Sequence, residues 1–166
     1  MPLNSLLDIE LSVPEPEELA AFWERRGMRQ TEQGILGTED RDVQLRIVEG
    51  SYRHMSELHL GCDTEQDLTE VASSLRELGI NPTIRGTRLT CTDPVFGHYV
   101  VIDVAVPHPL TPVQKRVFNP PGERNRINTR ADAVLEDAPR PPRRLGHIVL
   151  GTPKFKEATV FFVEGL

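Results

Sequence analysis

The sequence predicts an α+β fold in which a strand–helix–strand–strand unit occurs twice. Segments with alternating apolar and polar residues, typical of half-buried strands, flank segments with the 3.6-residue period of a helix. This order is found in residues 1–53 and again in residues 54–106. The opening strand and helix recur a third time over 145–166, and such self-similarity indicates a duplicated folding unit.

The first unit opens with LLDIELSV, whose alternation predicts a strand over 6–13. A helix is predicted over 16–27, since Pro16 suits a first helical turn and Gly27 a C-terminal stop. Strands are predicted over 31–37 and 43–49, joined by a charged turn. The second unit repeats this order, with a strand predicted over 57–62, a helix over 64–78, and strands over 83–91 and 99–106.

Residues 107–144 are predicted to form an extended connector. They contain eight of the 14 prolines and seven arginines, and proline disfavours continuous helix or sheet. A connector of this length indicates a domain boundary. Its arginines either contact an acidic partner or stay solvated near the acidic residues of the chain.

The third copy, residues 145–166, aligns without gaps on residues 6–27. Six positions are identical, including Phe161 opposite Phe22, and Phe162 lies opposite Trp23. These four aromatic residues are predicted to be helix-packing core. We expect 145–166 either to pack on another chain, favouring a homo-oligomer, or to be poorly ordered, because an unpaired strand and an apolar helix face need a partner.

Composition excludes several classes of protein. No apolar run is long enough to cross a bilayer, and a net charge of −6 argues against binding to nucleic acid. The N-terminus lacks a signal-peptide pattern, and Cys62 and Cys91 are too few for a disulfide scaffold. These features predict a cytoplasmic protein.

The repeated unit, the Asp93-Pro94…Gly97-His98 turn and the restart LGHIVLGTP after residue 144 resemble the vicinal-oxygen-chelate superfamily. This superfamily includes glyoxalase I, bleomycin-resistance proteins and type I extradiol dioxygenases, and the resemblance is closest to the dioxygenases. It implies paired βαβββ modules that form a curved, cup-like mixed sheet with the helices outside. It also implies a metal-free N-terminal pair, here 1–106, followed by an iron-binding pair.

The resemblance assigns His147 as the first ligand of a two-histidine, one-carboxylate Fe(II) site. A facial triad of this kind leaves positions open for substrate and O₂. The family's other two ligands would lie beyond residue 166. Fe(II) and a small aromatic diol are therefore expected for an intact family member, whereas stable iron binding by residues 1–166 is not.

Asp8 and Glu57 occupy the positions equivalent to His147 in the first two modules. Val101 stands at the position of the closing glutamate, although the preceding turn is one residue longer than the usual family form and a register slip would bring Asp103 there. Two carboxylates without a histidine or closing glutamate suit Fe(II) poorly, so the first pair is predicted to be metal-free.

The other polar residues allow two interpretations. His54 and His59 flank Glu57 and form either a metal cluster or, as we expect, solvated strand-edge positions. Asp8 and Glu10 share a strand face, as an acid–base pair or as a polar lining. His98 and His108 are predicted at surface turns.

Three functions follow from the sequence. The first is an extradiol dioxygenase of which this chain is the N-terminal portion. The second is a metal-free binder of small molecules, like the bleomycin-resistance proteins. The third is a structural or dimerising module.

Overall fold

The computed structural model describes residues 2–109, 117, 119–128 and 141–166. It is an α+β structure with an eight-stranded open, curved sheet and helices on its outer side, as predicted. The first module consists of β1 (Leu3–Val13), α1 (Pro16–Arg25), β2 (Arg29–Glu32), β3 (Ile35–Gly37) and β4 (Leu45–Glu49). The second consists of β5 (His54–Cys62), α2 (Glu65–Glu77), β6 (Thr83–Arg85), β7 (Arg88–Thr92) and β8 (Tyr99–Val104).

The strand order β2-β3-β4-β1-β5-β8-β7-β6 makes the two modules mirror each other across the centre of the sheet. The first strand of each module pairs in parallel with the last strand of the same module, and β1 and β5 pair antiparallel. Ile9 of β1 lies opposite Leu58 of β5, which marks the axis of this approximate two-fold relation.

Each module contains one hairpin where a single strand was predicted. The segment 31–37 forms β2 and β3, and 83–91 forms β6 and β7. Gly34 (φ +73°) and Gly86 (φ +58°) reverse the chain in the left-handed region that favours glycine. A Cβ atom added at Gly34 would lie only 2.5 Å from the carbonyl oxygen of Ile47, which is too close for any residue other than glycine.

The core lies between the sheet and its helices. The inward faces of the central strands pack against α2, where Leu68, Val71 and Leu75 are buried. A capping box at the start of α2 satisfies two amide groups, because Thr64 and Asp67 each accept a hydrogen bond from the backbone N–H of the other. None of the helices in the described residues is long and apolar enough to cross a membrane.

The third sequence copy folds differently from the first. Residues 145–150 form no strand, and a short helix α3 (Phe155–Thr159) continues as a π-helical segment over Val160–Gly165. Phe161 is only 1% exposed, and Gly165 approaches Leu75 and Leu78. The aromatic helix therefore docks in cis on the second module, and the prediction that it packs on another chain or is poorly ordered is wrong for this segment.

The connector has no helix or strand in its described part, while 110–116, 118 and 129–140 lie outside the described residues. Its end is fixed to the first module, because the amides of Glu39 and Asp40 donate to the carbonyls of Pro142 and Arg143 at 3.1 and 2.9 Å. The division of the chain at 106 and 144 stays a prediction.

Candidate functional site

The concave face of the sheet, opposite the helices, carries a cluster of charged side chains. Alternation along the second half of β1 directs Ile9 and Leu11 to the core and places Asp8 and Glu10 on the concave face. On the other strands the same face presents Arg46, Glu57, His59, Arg88 and Asp103. These seven residues are hereafter called the ionic cluster.

Arg46 lies at the centre of the ionic cluster. Its Nε donates to Asp8 Oδ1 at 2.8 Å and its Nη1 to Glu10 Oε2 at 2.7 Å. Its Nη2 donates to Glu57 Oε1, so one guanidinium binds three carboxylates on two strands. The Arg46 side chain is 24% exposed, and partial exclusion of water strengthens these contacts.

His59 links this centre to the second module. Its Nδ1 lies 2.8 Å from Asp8 Oδ2, and its Nε2 lies 2.8 Å from Asp103 Oδ2. Asp103 also accepts a two-bond fork from Arg88 at 2.8 and 2.7 Å. Because both ring nitrogens face carboxylates, the protonated imidazole is the form that can donate both hydrogen bonds.

The pKa shifts agree with this geometry. Burial alone would lower the pKa of His59, but the hydrogen bonds and charges of Asp8 and Asp103 outweigh it and raise the pKa. Burial would raise the pKa of Asp8, yet His59 and Arg46 together lower it. The hydrogen bond from Arg88 is the main reason that the pKa of Asp103 is lowered, against burial. His59, Asp8 and Asp103 are therefore all charged in mildly acidic solution.

Three members of the ionic cluster are close enough to ligate one metal ion. Ligand atoms of Asp8, Glu57 and His59 lie within 4.8 Å of one another. However, Arg46 already donates to both of these carboxylates, and a protonated histidine has no lone pair for a metal. As arranged, the ionic cluster does not fit a divalent cation, and its central positive charge is a guanidinium.

The two-fold relation tests which positions are equivalent between the modules. Ile9 pairs with Leu45 and Leu58 pairs with Val100, so Arg46 and Val101 occupy matching positions. By the same relation Asp8 matches Glu57, as the sequence predicted. Asp103 lies two residues further along β8 and binds His59. Which of Val101 and Asp103 corresponds to the family's closing glutamate stays a prediction.

The prediction for His59 is wrong. We expected a solvated strand-edge residue, whereas β5 is central in the sheet and the imidazole is only 16% exposed. His54 lies at the start of β5, where its Nδ1 is 3.1 Å from the carbonyl oxygen of Tyr52. Asp8 and Glu10 are a polar lining paired with Arg46, as one of the two interpretations proposed.

Arg46 is the functional residue that sequence reasoning missed. Arg46 stands between Leu45 and Ile47, and this pattern is the same as that of an ordinary solvated charge on a half-buried strand. The available signal was the coincidence of one arginine and several acids on the concave positions of β1, β4 and β5.

His147 lies apart from the ionic cluster. It is exposed, on the segment without strand structure, and it lines a pocket on the helix side together with Ile9 and Trp23. Within the described residues it belongs to no group of three potential metal ligands. Its assignment as an iron ligand stays a prediction.

The turn before β8 holds a second Asp–His pair. His98 is 3% exposed, against the prediction of a surface position, because Phe96 and Phe162 cover its ring. Its Nε2 lies 3.3 Å from Asp93 Oδ2, and Asp93 Oδ1 accepts the amides of Val95 and Phe96. Burial lowers the pKa of His98 despite the charge of Asp93, so the neutral imidazole is favoured, and the turn is held by the two amides that donate to Asp93. His108, by contrast, remains partly exposed near Asp40.

Neither cysteine offers a reactive thiolate. Cys62 and Cys91 are buried and unpaired, and burial raises the pKa of the Cys91 thiol to about 11. Nucleophilic chemistry at cysteine requires a lowered pKa and access to solvent, so these thiols are core residues.

Several solved structures share this architecture. A halotolerant catechol dioxygenase matches 98% of this chain with a TM-score of 0.67 at 18% identity. A catechol 2,3-dioxygenase matches 98% with a TM-score of 0.65 at 17% identity. The Mn(II)-bound glyoxalase from Novosphingobium aromaticivorans matches 99% with a TM-score of 0.66 at 15% identity. The chain has the vicinal-oxygen-chelate fold.

The shared fold confirms, at the level of structure, the resemblance that the sequence indicated. The chain spans about half the length of these three proteins, covering 55%, 55% and 53% of them. No protein-family model matches the sequence, and no curated protein matches it.

Proposed function

We propose that this chain is the metal-free half of a vicinal-oxygen-chelate enzyme that opens catecholic rings with Fe(II) and O₂. Two observations support the proposal. Two catechol dioxygenases share the fold over nearly the whole chain, and the chain covers about half of each. In this module pair Arg46 binds Asp8 and Glu57, two carboxylates that could otherwise ligate a metal ion.

In this proposal residues 1–106 support and orient a second pair of modules, which begins at residue 145 and takes His147 as its first metal ligand. The ionic cluster then locks the two halves of the first sheet together across β1, β5 and β8. The small aromatic diol, a homo-oligomeric assembly and a cytoplasmic location are parts of the same proposal. A binder that uses the concave face is less favoured, because side-chain ion pairs fill that face.

The test uses the uninterrupted reading frame that contains this chain. It should encode a second histidine roughly 60–70 residues after His147 and a later glutamate after a glycine turn, the spacing that the family motif suggests. The expressed protein should consume O₂ with catechol only when it is loaded with Fe(II). His147→Ala should abolish both bound iron and O₂ uptake, whereas Asp8→Asn should leave the iron content unchanged.

Two results would overturn the proposal. One is iron retained in His147→Ala but lost in Asp8→Asn, which would place the metal in the ionic cluster. The other is a complete reading frame without the second histidine and the glutamate.

A further inference from the structure

A pocket of about 280 Å³ lies between the first module and the end of the connector. Its apolar walls come from the helix-side faces of β1 and β4 and from the end of α1, including Ile9, Leu45, Trp23 and Met28. Pro142 and residues 144–147 complete the opposite wall. This volume is near the lower end of the range for small-molecule sites and has room for a single aromatic ring.

The charges around this pocket are of one sign. Of the residues that the structure describes, Arg26 and Arg144 line it and no aspartate or glutamate does, although the chain as a whole has a net charge of −6. Both arginines are exposed, and neither forms an ion pair with another described residue. Arg26 lies over the ring of Phe22, 5.3 Å from its centre, which holds it near the end of α1. Two permanently charged guanidinium groups without carboxylate partners favour an anionic ligand.

A buried donor adds a second, independent indication. Trp23 lines the pocket, and its indole Nε1 is buried without a hydrogen-bond partner among the described residues. Buried indole N–H groups nearly always have an acceptor, since an unpaired one costs free energy. A ligand oxygen would supply that acceptor where the indole turns its N–H edge into the pocket.

We infer that this pocket binds a small aromatic carboxylate. The ring occupies the apolar walls, and the carboxylate meets the arginines at the rim. The inference rests on the position of residues 142–147, which are hydrogen-bonded to Glu39, Asp40 and Gln44 of the first module, and stands whether or not the chain forms part of a dioxygenase.

Fluorescence offers a direct assay, because Trp23 is the only tryptophan in the chain. Titration with benzoate should change the emission of Trp23 saturably, with one site per chain by calorimetry. Benzyl alcohol, which keeps the ring and an oxygen but carries no charge, should bind at least about tenfold more weakly, the factor that a charge-assisted hydrogen bond provides.

Three variants separate the pocket from a nonspecific effect. Arg144→Gln and Arg26→Gln should each raise the dissociation constant of benzoate by about tenfold. Arg25→Gln is the matched control, since Arg25 is exposed one position away and does not line the pocket. Circular dichroism would establish that all three variants are folded.

The inference is overturned if benzoate produces no saturable signal. It is equally overturned if benzoate and benzyl alcohol bind alike, or if Arg25→Gln weakens binding as much as Arg144→Gln does.

Discussion

The two modules of this chain share one backbone design and differ in the chemistry of matching positions. On the last strand of the first module, Arg46 reaches three carboxylates, whereas the matching Val101 of the second module is 3% exposed and offers no polar atom. Two residues further along, Asp103 binds His59 and Arg88, whereas the matching Val48 is partly exposed. Duplication therefore preserved the register of the sheet, while matching positions of the concave face diverged in charge: Arg46 corresponds to Val101, and Asp103 to Val48.

The largest effect is expected from removing the central cation. Arg46→Met keeps an unbranched apolar stem but leaves Asp8, Glu10 and Glu57 facing one another without a positive charge. Loss of one partner from a largely buried ion pair typically costs several kcal/mol, so the free energy of unfolding in urea should fall by about 3 kcal/mol.

The control for this change is Arg29→Met. Arg29 pairs with Asp42, but their side chains are 61% and 81% exposed, so this variant should lose less than about 0.5 kcal/mol. Equal losses in the two variants would contradict a special role for Arg46.

A smaller, pH-dependent effect is expected at His59. Its pKa in the folded protein lies above the ordinary value of 6.5, so the protonated imidazole stabilises the fold below pH 6.5. This stabilisation is lost as the pH rises through the raised pKa. His59→Gln should therefore be less stable than the wild type by about 1–2 kcal/mol near pH 5.5, and by less near pH 8.5. A deficit in unfolding free energy that is the same at both pH values would show that the imidazole is neutral in the ionic cluster.

Asp8 and Asp103 determine how far the pH can fall before the ionic cluster stops stabilising the fold. The pKa values of Asp8 and Asp103 are lowered from 3.8, so their contribution to stability is present above pH 3.8 and is lost as the pH falls through the lowered values. Asp8, Asp103 and His59 are therefore all charged between about pH 4 and 6.5.

The smallest effect is expected at the end of the ionic cluster. Asp103→Asn removes the charge that binds His59 and Arg88, and because Arg88 is 54% exposed the loss should be about 1 kcal/mol. The comparison is Val48→Ala at the matching position of the first module, where little burial is lost and the unfolding free energy should change by less than about 0.5 kcal/mol. A larger loss at Val48 than at Asp103 would mean that packing, rather than charge, distinguishes the two modules.

The fold was predictable from the sequence because its signals are local. Alternation, helical period and turn residues identified β1, α1, β5 and α2, and the duplication fixed their order. The third copy shows where such reasoning fails: 6–13 forms a strand between β4 and β5, whereas 145–150 has no ladder partner among the described residues. Phe22 is 38% exposed and its counterpart Phe161 only 1% exposed. A pattern reports which side of a segment is apolar, but tertiary neighbours decide what covers it.

The candidate site was predictable only in part for the same reason. Asp8 and Glu57 were found because they are equivalent within the repeat. Arg46 and the double contact of His59 depend on the pairing of β1 with both β4 and β5, which brings residues 38 and 51 positions apart in sequence into contact.

The most direct test of the account is a titration of the 166-residue chain with Mn(II), followed by the electron paramagnetic resonance signal of the free ion. If Arg46 takes the place of a metal ion, the wild-type chain leaves this signal undiminished. Arg46→Ala, which frees Asp8 and Glu57, should then bind one Mn(II) per chain, and Glu57→Gln in the same background should abolish that binding. Stoichiometric uptake of Mn(II) by the wild-type chain, lost in Glu57→Gln, would contradict the account.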